Sequence, residues 1–213
     1  MNLFNFDKKL KDNGTFLVGT DEAGRGAGAG PVFAAAVCFK NPDKTLIGRL
    51  KDINDSKQLT PKQREYFFDI IKENAVYDIQ SGSVKEIERL NILKCTLFCM
   101  KRACENVIKK IGEEKFLVIV DGNKTIPDFD YPQQSLVKGD GKSATVAAAS
   151  ILAKVCRDGF MTELAKEFPQ YQWEQNKGYL TPDHLESVDR YGICEHHRAK
   201  YFEKHFAKQL SLF

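Results

Sequence analysis

The polar and apolar positions of this chain switch repeatedly between short β-like runs and longer helical stretches. Residues 16–20 and 32–39 predict two strands joined by a glycine-rich loop, and residues 76–80 alternate as a half-buried strand does. Residues 116–120 form a compact apolar run, predicting a buried strand that ends at Asp121-Gly122, and residues 135–138 predict a short last strand. The helices announce themselves at their starts. Thr60-Pro61-Lys62-Gln63 places a cap residue before proline and a glutamine three after the cap, predicting a helix over 61–73. Ser83 and Glu86 form a second capping box, opening helical sequence that runs to Lys110 with a break near Asn91. The alanine-rich stretch 144–158 predicts a helix with small residues, able to pack closely on a sheet. From Met161 the sequence reads as helix and loop, with Pro182 starting a helix that Gly192 ends. Strands mixed with helices predict an α/β fold with its site along one sheet edge.

The acids of this pattern carry its chemistry. Asp21 and Glu22 open the glycine-rich run that ends at Gly30, and a strand delivers both to its carboxyl end. Two carboxylates about 4 Å apart repel by roughly 4 kcal/mol at an effective dielectric near 20. A cation between them relieves this, and carboxylate oxygens suit a hard ion such as Mg2+ or Mn2+. Asp121 and Asp140 sit in glycine-containing turns of their own. Such a cluster is what in-line phosphoryl transfer by two metals requires. Arg25 supplies a fork of donors matched to phosphate, between glycines that let a backbone approach closely. Two nucleotide-loop readings fail: Ala29 breaks a dinucleotide-binding pattern, and Leu136 stands where a P-loop ending at Ser143 needs glycine.

Bulk properties narrow the picture. At 213 residues the chain fits one sizeable domain without a repeat or low-complexity linker, and its 42% hydrophobic residues suffice for a core. A net charge of +3 says little about nucleic acid. No apolar run is long enough to span a bilayer and residues 1–11 lack a signal-peptide core, predicting a cytoplasmic protein. The six cysteines form no C-x-x-C pair and the four histidines no H-E-x-x-H pattern, which predicts buried reduced thiols and no zinc site.

Several stretches together resemble the bacterial ribonuclease HII family, the type 2 ribonucleases H. They are Gly19 to Gly26, Asp55-Ser56-Lys57-Gln58-Leu59, Val120 to Asn123, Lys138 to Ser143, Ala147 to Asp158 and Lys177-Gly178-Tyr179, in family order over most of the chain. The resemblance implies a ribonuclease H-like α/β fold, a mixed central β-sheet flanked by helices with a helical C-terminal extension. It implies a catalytic core over about 14–160, a substrate-binding extension over about 161–206 and a tail at 207–213, all in one domain acting as a monomer. The implied activity is metal-dependent cleavage of the RNA strand of RNA–DNA hybrids. It includes incision 5′ of a single ribonucleotide embedded in duplex DNA, leaving a 3′-hydroxyl and a 5′-phosphate. By position, Asp21, Glu22, Asp121 and Asp140 match the family's catalytic metal-binding acids. Gly24, Arg25 and Gly26 match the motif that reads the ribose 2′-hydroxyl, the group that distinguishes RNA from DNA locally. Tyr179 matches the tyrosine packed on the neighbouring deoxyribose, and Lys57, Lys142 and Ser143 are candidate phosphate contacts.

Each residue also has a plainer reading. Tyr179 alone is a half-buried packing residue, Lys57 a solvated charge, Arg25 a partner for a local acid, and Asp158 a structural acid beyond the metal set. The chain departs from the family pattern at Ala27, Gly28, Gly141 and Asn176, none of them a metal ligand. The related ribonuclease HIII family carries lysine at the Arg25 position and an extra N-terminal domain, for which residues 1–13 are too short. Two other functions compete: a nuclease confined to long hybrids, against which Arg25 and Tyr179 argue, and a binding scaffold without catalysis, against which the four acids argue. At the far end, Gln209, Leu210, Ser211, Leu212 and Phe213 resemble the short peptide by which bacterial proteins bind the DNA sliding clamp, a glutamine anchor followed by apolar side chains.

Overall fold

The computed structural model describes residues 2–12, 14–112 and 114–210, except the side chains of residues 208–210. Helix α1 (Leu3–Leu10) leads into strands β1 (Thr15–Ala23) and β2 (Val32–Cys38). There follow α2 (Lys44–Arg49), α3 (Pro61–Asn74), β3 (Val76–Gly82), α4 (Val84–Leu90), α5 (Ile92–Ile111), β4 (Lys115–Asp121) and β5 (Gln133–Leu136). The long α6 (Ala144–Glu167) opens the second half, with α7 (Trp173–Asn176), α8 (Pro182–Tyr191) and α9 (Glu203–Leu210) after it. Local chemistry sets several of these bounds. Thr60 and Ser83 cap α3 and α4 through complete capping boxes. Asn91, at φ 68°, breaks the helix between α4 and α5 while its side chain caps the latter. Gly192 ends α8 at φ 74°.

The sheet runs β3-β2-β1-β4-β5, with β2 antiparallel to both of its neighbours, β1 and β3, and β4 and β5 parallel to β1. Its two faces are covered by different helices. Val18, Ala34, Ala36 and Cys38 pack against α5, and Ala35 and Val37 against α6 and α3. The alanines of α6 let it lie very close to β1. A Cβ on Gly19 would stand 2.4 Å from the backbone carbon of Thr145 and the backbone nitrogen of Val146. A separate apolar cluster, built on Trp173, Tyr171, Met161 and Phe202, joins the C-terminal elements to the far end of α6.

Four differences from the sequence expectations have physical causes. β1 continues to Ala23, so Asp21 and Glu22 lie inside the strand, where Asp21↔Ala35 and Glu22↔Ala34 pairing holds them. α6 passes through Gly159 to Glu167, because Met161, Leu164 and Ala165 remain buried on its inner side. β5 starts and ends earlier than predicted; Lys138, at φ 55°, has already left the strand. Helix α1 had no apolar signal long enough to reveal it, and is anchored by the buried side chains of Phe4 and Asp7. Among the described residues no helix is long and apolar enough to cross a membrane, and the buried Cys38, Cys95, Cys99 and Cys104 are free thiols.

Candidate active site

Parallel pairing of β1 with β4 ends at Thr20↔Val120, which brings Asp21 and Asp121 to the next position of neighbouring strands. Asp140 arrives from the turn before α6. The N–H of Gly139 donates to Asp121 Oδ1 at 2.7 Å, tying that turn to the end of β4. The backbone orients the other acids in the same way: Glu22 N–H donates to Asp21 Oδ1 (2.6 Å) and Gly141 N–H to Asp140 Oδ1 (2.9 Å).

These carboxylates are electrostatically coupled to one another. Burial, Glu22 and Asp121 together hold the Asp21 carboxyl well above the usual range. Glu22 is also raised, chiefly by burial and further by Asp121, although Arg25 and Lys57 oppose the shift. Asp140 is pushed up to about 6 by burial, Asp55 and Asp121. Lys57 lies beside the cluster. Burial lowers its pKa, but Asp55, Asp21 and Asp140 outweigh that and raise it. Sequence reasoning passed over Asp55 as a site residue, although it stood within a quoted motif; only the fold shows it facing Asp140.

Such a donor set fits a hard divalent cation. It is all oxygen, concentrated at one strand edge, and its charges are unfavourable without a counter-ion. Among the described residues no three His, Cys, Asp or Glu side chains stand together closely enough to hold a metal ion by themselves.

Beside the acids lies a cleft of about 390 Å3 lined by Glu22, Gly24, Arg25, Gly26, Lys57, Lys154 and Tyr179. Sequence-predicted substrate residues from three distant segments thus share one wall. Arg25 Nη1 donates to Glu22 Oε1 at 3.1 Å, pairing with a local acid, yet its side chain stays 50% exposed. Tyr179 lies beneath Lys154 and Arg157, whose charged groups stand 5.6 Å and 5.3 Å from its ring centre. Its carbonyl accepts from His184 Nδ1 (2.9 Å), while His184 Nε2 accepts from Trp173 Nε1 (3.0 Å), which assigns the proton of that imidazole to Nδ1. Burial lowers the His184 pKa and favours this neutral form.

Other predicted residues fall differently. Ser143 is corrected: it is fully buried as the cap of α6, its hydroxyl bonded to Thr145 Oγ1 (2.9 Å) and accepting from Val146 N–H (3.4 Å), so it does not reach the cleft. Lys142 is exposed, with Nζ donating to the Val137 carbonyl at 2.7 Å, on the Asp140 side of the cluster. Asp158 pairs with Lys154 at 2.8 Å. Of the departures, Asn176 holds the turn before Tyr179 by accepting from Gly178 N–H (2.8 Å), and a Cβ on Gly28 would meet Leu180 Cδ2 at 2.4 Å. A Cβ at Gly141 would touch only Asn54 Oδ1, at 3.9 Å. Gln209 and Leu210 end α9, their side chains outside the described residues, as are Ser211, Leu212 and Phe213 entirely.

A five-stranded mixed sheet with acids in the last residues of two adjacent strands and before a long helix defines a nuclease of the ribonuclease H-like class. The ribonuclease HII family profile matches residues 18–208, and the chain belongs to that family, whose members are ribonuclease H endonucleases. It is 45% identical over 204 residues to the ribonuclease HII of Caldicellulosiruptor bescii, covering 95% of this chain and 94% of that one. Among solved structures it resembles the ribonuclease HII of Archaeoglobus fulgidus, determined as a PCNA:RNase HII complex, with a TM-score of 0.70, 24% identity and coverage of 86% of this chain and 93% of that one. It also resembles Bst-RNase HIII in complex with Mn2+ (TM-score 0.67, 21% identity, 84% of this chain, 63% of that one).

Proposed function

We propose that this chain hydrolyses the RNA strand of RNA–DNA hybrids and also incises duplex DNA 5′ of a single embedded ribonucleotide, leaving a 3′-hydroxyl and a 5′-phosphate. The observation that carries the reading is one cleft in which Glu22 of the acid cluster lies beside Gly24, Arg25, Gly26, Lys57 and Tyr179. Asp21, Glu22, Asp121 and Asp140 would hold Mg2+ or Mn2+, which would supply charge neutralisation at the phosphate, activation of the attacking water and stabilisation of the departing oxygen. The protein's part is placement. Gly26, with open space where a Cβ would stand, admits the backbone to the sugar, where the 2′-hydroxyl is read, while Gly24 leaves room for Arg157 behind the loop. Arg25, released from Glu22, meets a phosphate with its fork. The Tyr179 ring supports the adjacent deoxyribose, leaving little room for a second hydroxyl. Lys57 and Lys142 flank the acids as point charges for the strand backbone.

Residues 14–160 form the catalytic core in this reading, residues 161–206 the part that carries Tyr179, and residues 207–213 a tail, within one monomeric cytoplasmic enzyme. The tail, Gln209 to Phe213, binds the bacterial sliding clamp with a dissociation constant on the order of micromolar, since two buried apolar side chains contribute about 1.5–3 kcal/mol each against the ordering of a terminus. The PCNA complex of the Archaeoglobus fulgidus protein supports an association of this kind. The test of the main proposal is cleavage of three duplexes with Mg2+ or Mn2+: all DNA, DNA with one ribonucleotide, and an RNA–DNA hybrid. A cut 5′ of the single ribonucleotide, absent in Asp21→Asn, is expected. Cleavage of the hybrid alone would remove the roles given to Arg25 and Tyr179, and no cleavage would favour a binding scaffold.

A further inference from the structure

Two arginines stand directly behind the Gly24-Arg25-Gly26 segment, and neither sits where a buried cation ordinarily does. Arg157 is 0% and Arg198 1% exposed, yet among the described residues neither forms an ion pair. Their donors go to loop carbonyls instead. Arg198 Nη1 donates to the Gly24 carbonyl (2.8 Å) and the Arg25 carbonyl (3.2 Å), and its Nε to the Gly30 carbonyl (3.0 Å). Its backbone N–H donates to the Gly28 carbonyl at 2.7 Å. Arg157 completes the frame through the carbonyls of Pro31 (3.1 Å), Ala29 (3.0 Å) and Lys177 (3.0 Å). The Tyr201 hydroxyl adds a further bond to the Arg25 carbonyl at 2.9 Å.

Peptide geometry turns this frame into a statement about the cleft. A trans peptide is planar, so its N–H points opposite its carbonyl. Drawing the carbonyls of Gly24 and Arg25 toward Arg198 therefore aims the N–H groups of Arg25 and Gly26 away from it, and neither finds an acceptor among the described residues. Burying two like charges without a carboxylate is costly, and the bonds to loop carbonyls offset that cost while fixing the path of the loop. Burial and the charge of Arg157 push the Arg198 pKa down to about 10, and Arg198 Nη2 has no partner at all among the described residues.

We infer that Arg198, backed by Arg157, is a positioning residue that holds the Gly24 and Arg25 carbonyls inward so that the amides of Arg25 and Gly26 face the cleft as donors to the ribose 2′-hydroxyl. The inference rests on the proposed reading of Gly24-Arg25-Gly26 as the ribose-reading segment. Lysine cannot replace Arg198, because a single ammonium lacks the planar fork that spans several carbonyls.

The test is binding in the full-length Asp21→Asn protein, which does not cleave, to a duplex with one ribonucleotide and to its all-DNA counterpart, by fluorescence anisotropy with Mg2+ present. The quantity read is the ratio of the two affinities. Adding Arg198→Lys is expected to lower that ratio at least fivefold while all-DNA affinity stays within twofold, a split that a merely structural residue would not produce. Tyr201→Phe, which removes one donor from the Arg25 carbonyl, is expected to lower it about twofold, and it decides the matter where Arg198→Lys does not fold. An unchanged ratio in a folded Arg198→Lys protein overturns the inference, as does an unchanged ratio in Tyr201→Phe when that variant decides. A parent protein with no ribose preference overturns the loop reading itself and this inference with it, and that outcome is seen before either substitution is made.

Discussion

The close approach of α6 to β1 makes Gly19→Ala a severe change for a single methyl group. The new Cβ would lie 2.4 Å from the Thr145 carbon and the Val146 nitrogen, and 2.8 Å from Thr145 Cβ. Ordinary carbon contacts begin near 3.5 Å, so strand and helix must part by roughly 1 Å. Two of the obstructing atoms are backbone, which no rotamer change can move aside. Overpacking of this kind costs about 1–3 kcal/mol, and this site belongs at the upper end. For a chain of this size each kcal/mol moves Tm by about 2–4 °C, giving an expected fall of roughly 4–12 °C. The shift also carries Ser150, whose hydroxyl favours the ionised form of Asp21, away from the acid cluster, so cleavage well below Tm should fall about tenfold. Gly159→Ala is the matched control. It lies in α6 with nothing within 4 Å of the added Cβ, and helix propensity predicts a gain of about 0.5–1 kcal/mol. Differential scanning calorimetry of both variants decides the matter. A Gly19→Ala protein melting within about 1 °C of wild type would refute the packing argument.

Further predictions concern charge, capping and the tail. Because the folded Asp140 pKa of about 6 exceeds its ordinary 3.8, the metal-free folded state binds more protons in that window, so its contribution to stability is lost as pH rises from about 3.8 to 6. Mg2+ or Mn2+ should accordingly raise Tm more at pH 7.5 than at pH 5, and equal shifts in a melting series would count against the cluster as a metal site. His197 works in the opposite sense: burial and His184 push it down to about 4, so its contribution is lost as pH falls from its ordinary 6.5 toward 4, and His197→Gln should flatten that acid-side loss in urea titrations. Asp7→Ala should destabilise by about 1 kcal/mol, because Asp7 Oδ2 accepts from Thr145 N–H at 3.0 Å in the first turn of α6; an unchanged urea midpoint would show that α1 does not support that helix. Deleting residues 209–213 should abolish binding to the sliding clamp in surface plasmon resonance while short duplexes are still cut, and retained binding would remove the tail's assigned role.

What could be read from the sequence was local. Thr60 with Gln63, Ser83 with Glu86, the break at Asn91 and the stop at Gly192 all signal within a few residues, and the structure has each in place. The family stretches likewise carried Asp21, Glu22, Asp121 and Asp140 to one region. What escaped depends on contacts distant in sequence. Asp7 meets Thr145 across 138 positions, and α1 is held by that bond and by Phe4 packing on Phe39. The end of β1 was read too early because two charges resemble a strand terminus, whereas pairing with β2 carries the strand past them. Ser143 resembled a phosphate contact because a serine after Gly-Lys suits one, but its place before α6 makes it a cap. Arg198 gave no signal at all: its role arises from carbonyls far away in the chain, with Gly30 separated from it by 168 positions.

The claim on which the rest depends is that the four acids bind the divalent cation required for cleavage. Titration of Mn2+ into the protein without nucleic acid, followed by electron paramagnetic resonance, tests it directly. Wild type should take up Mn2+, and Asp21→Asn and Asp121→Asn should lose that uptake together with cleavage while remaining folded. Undiminished Mn2+ binding in both folded variants would contradict the account.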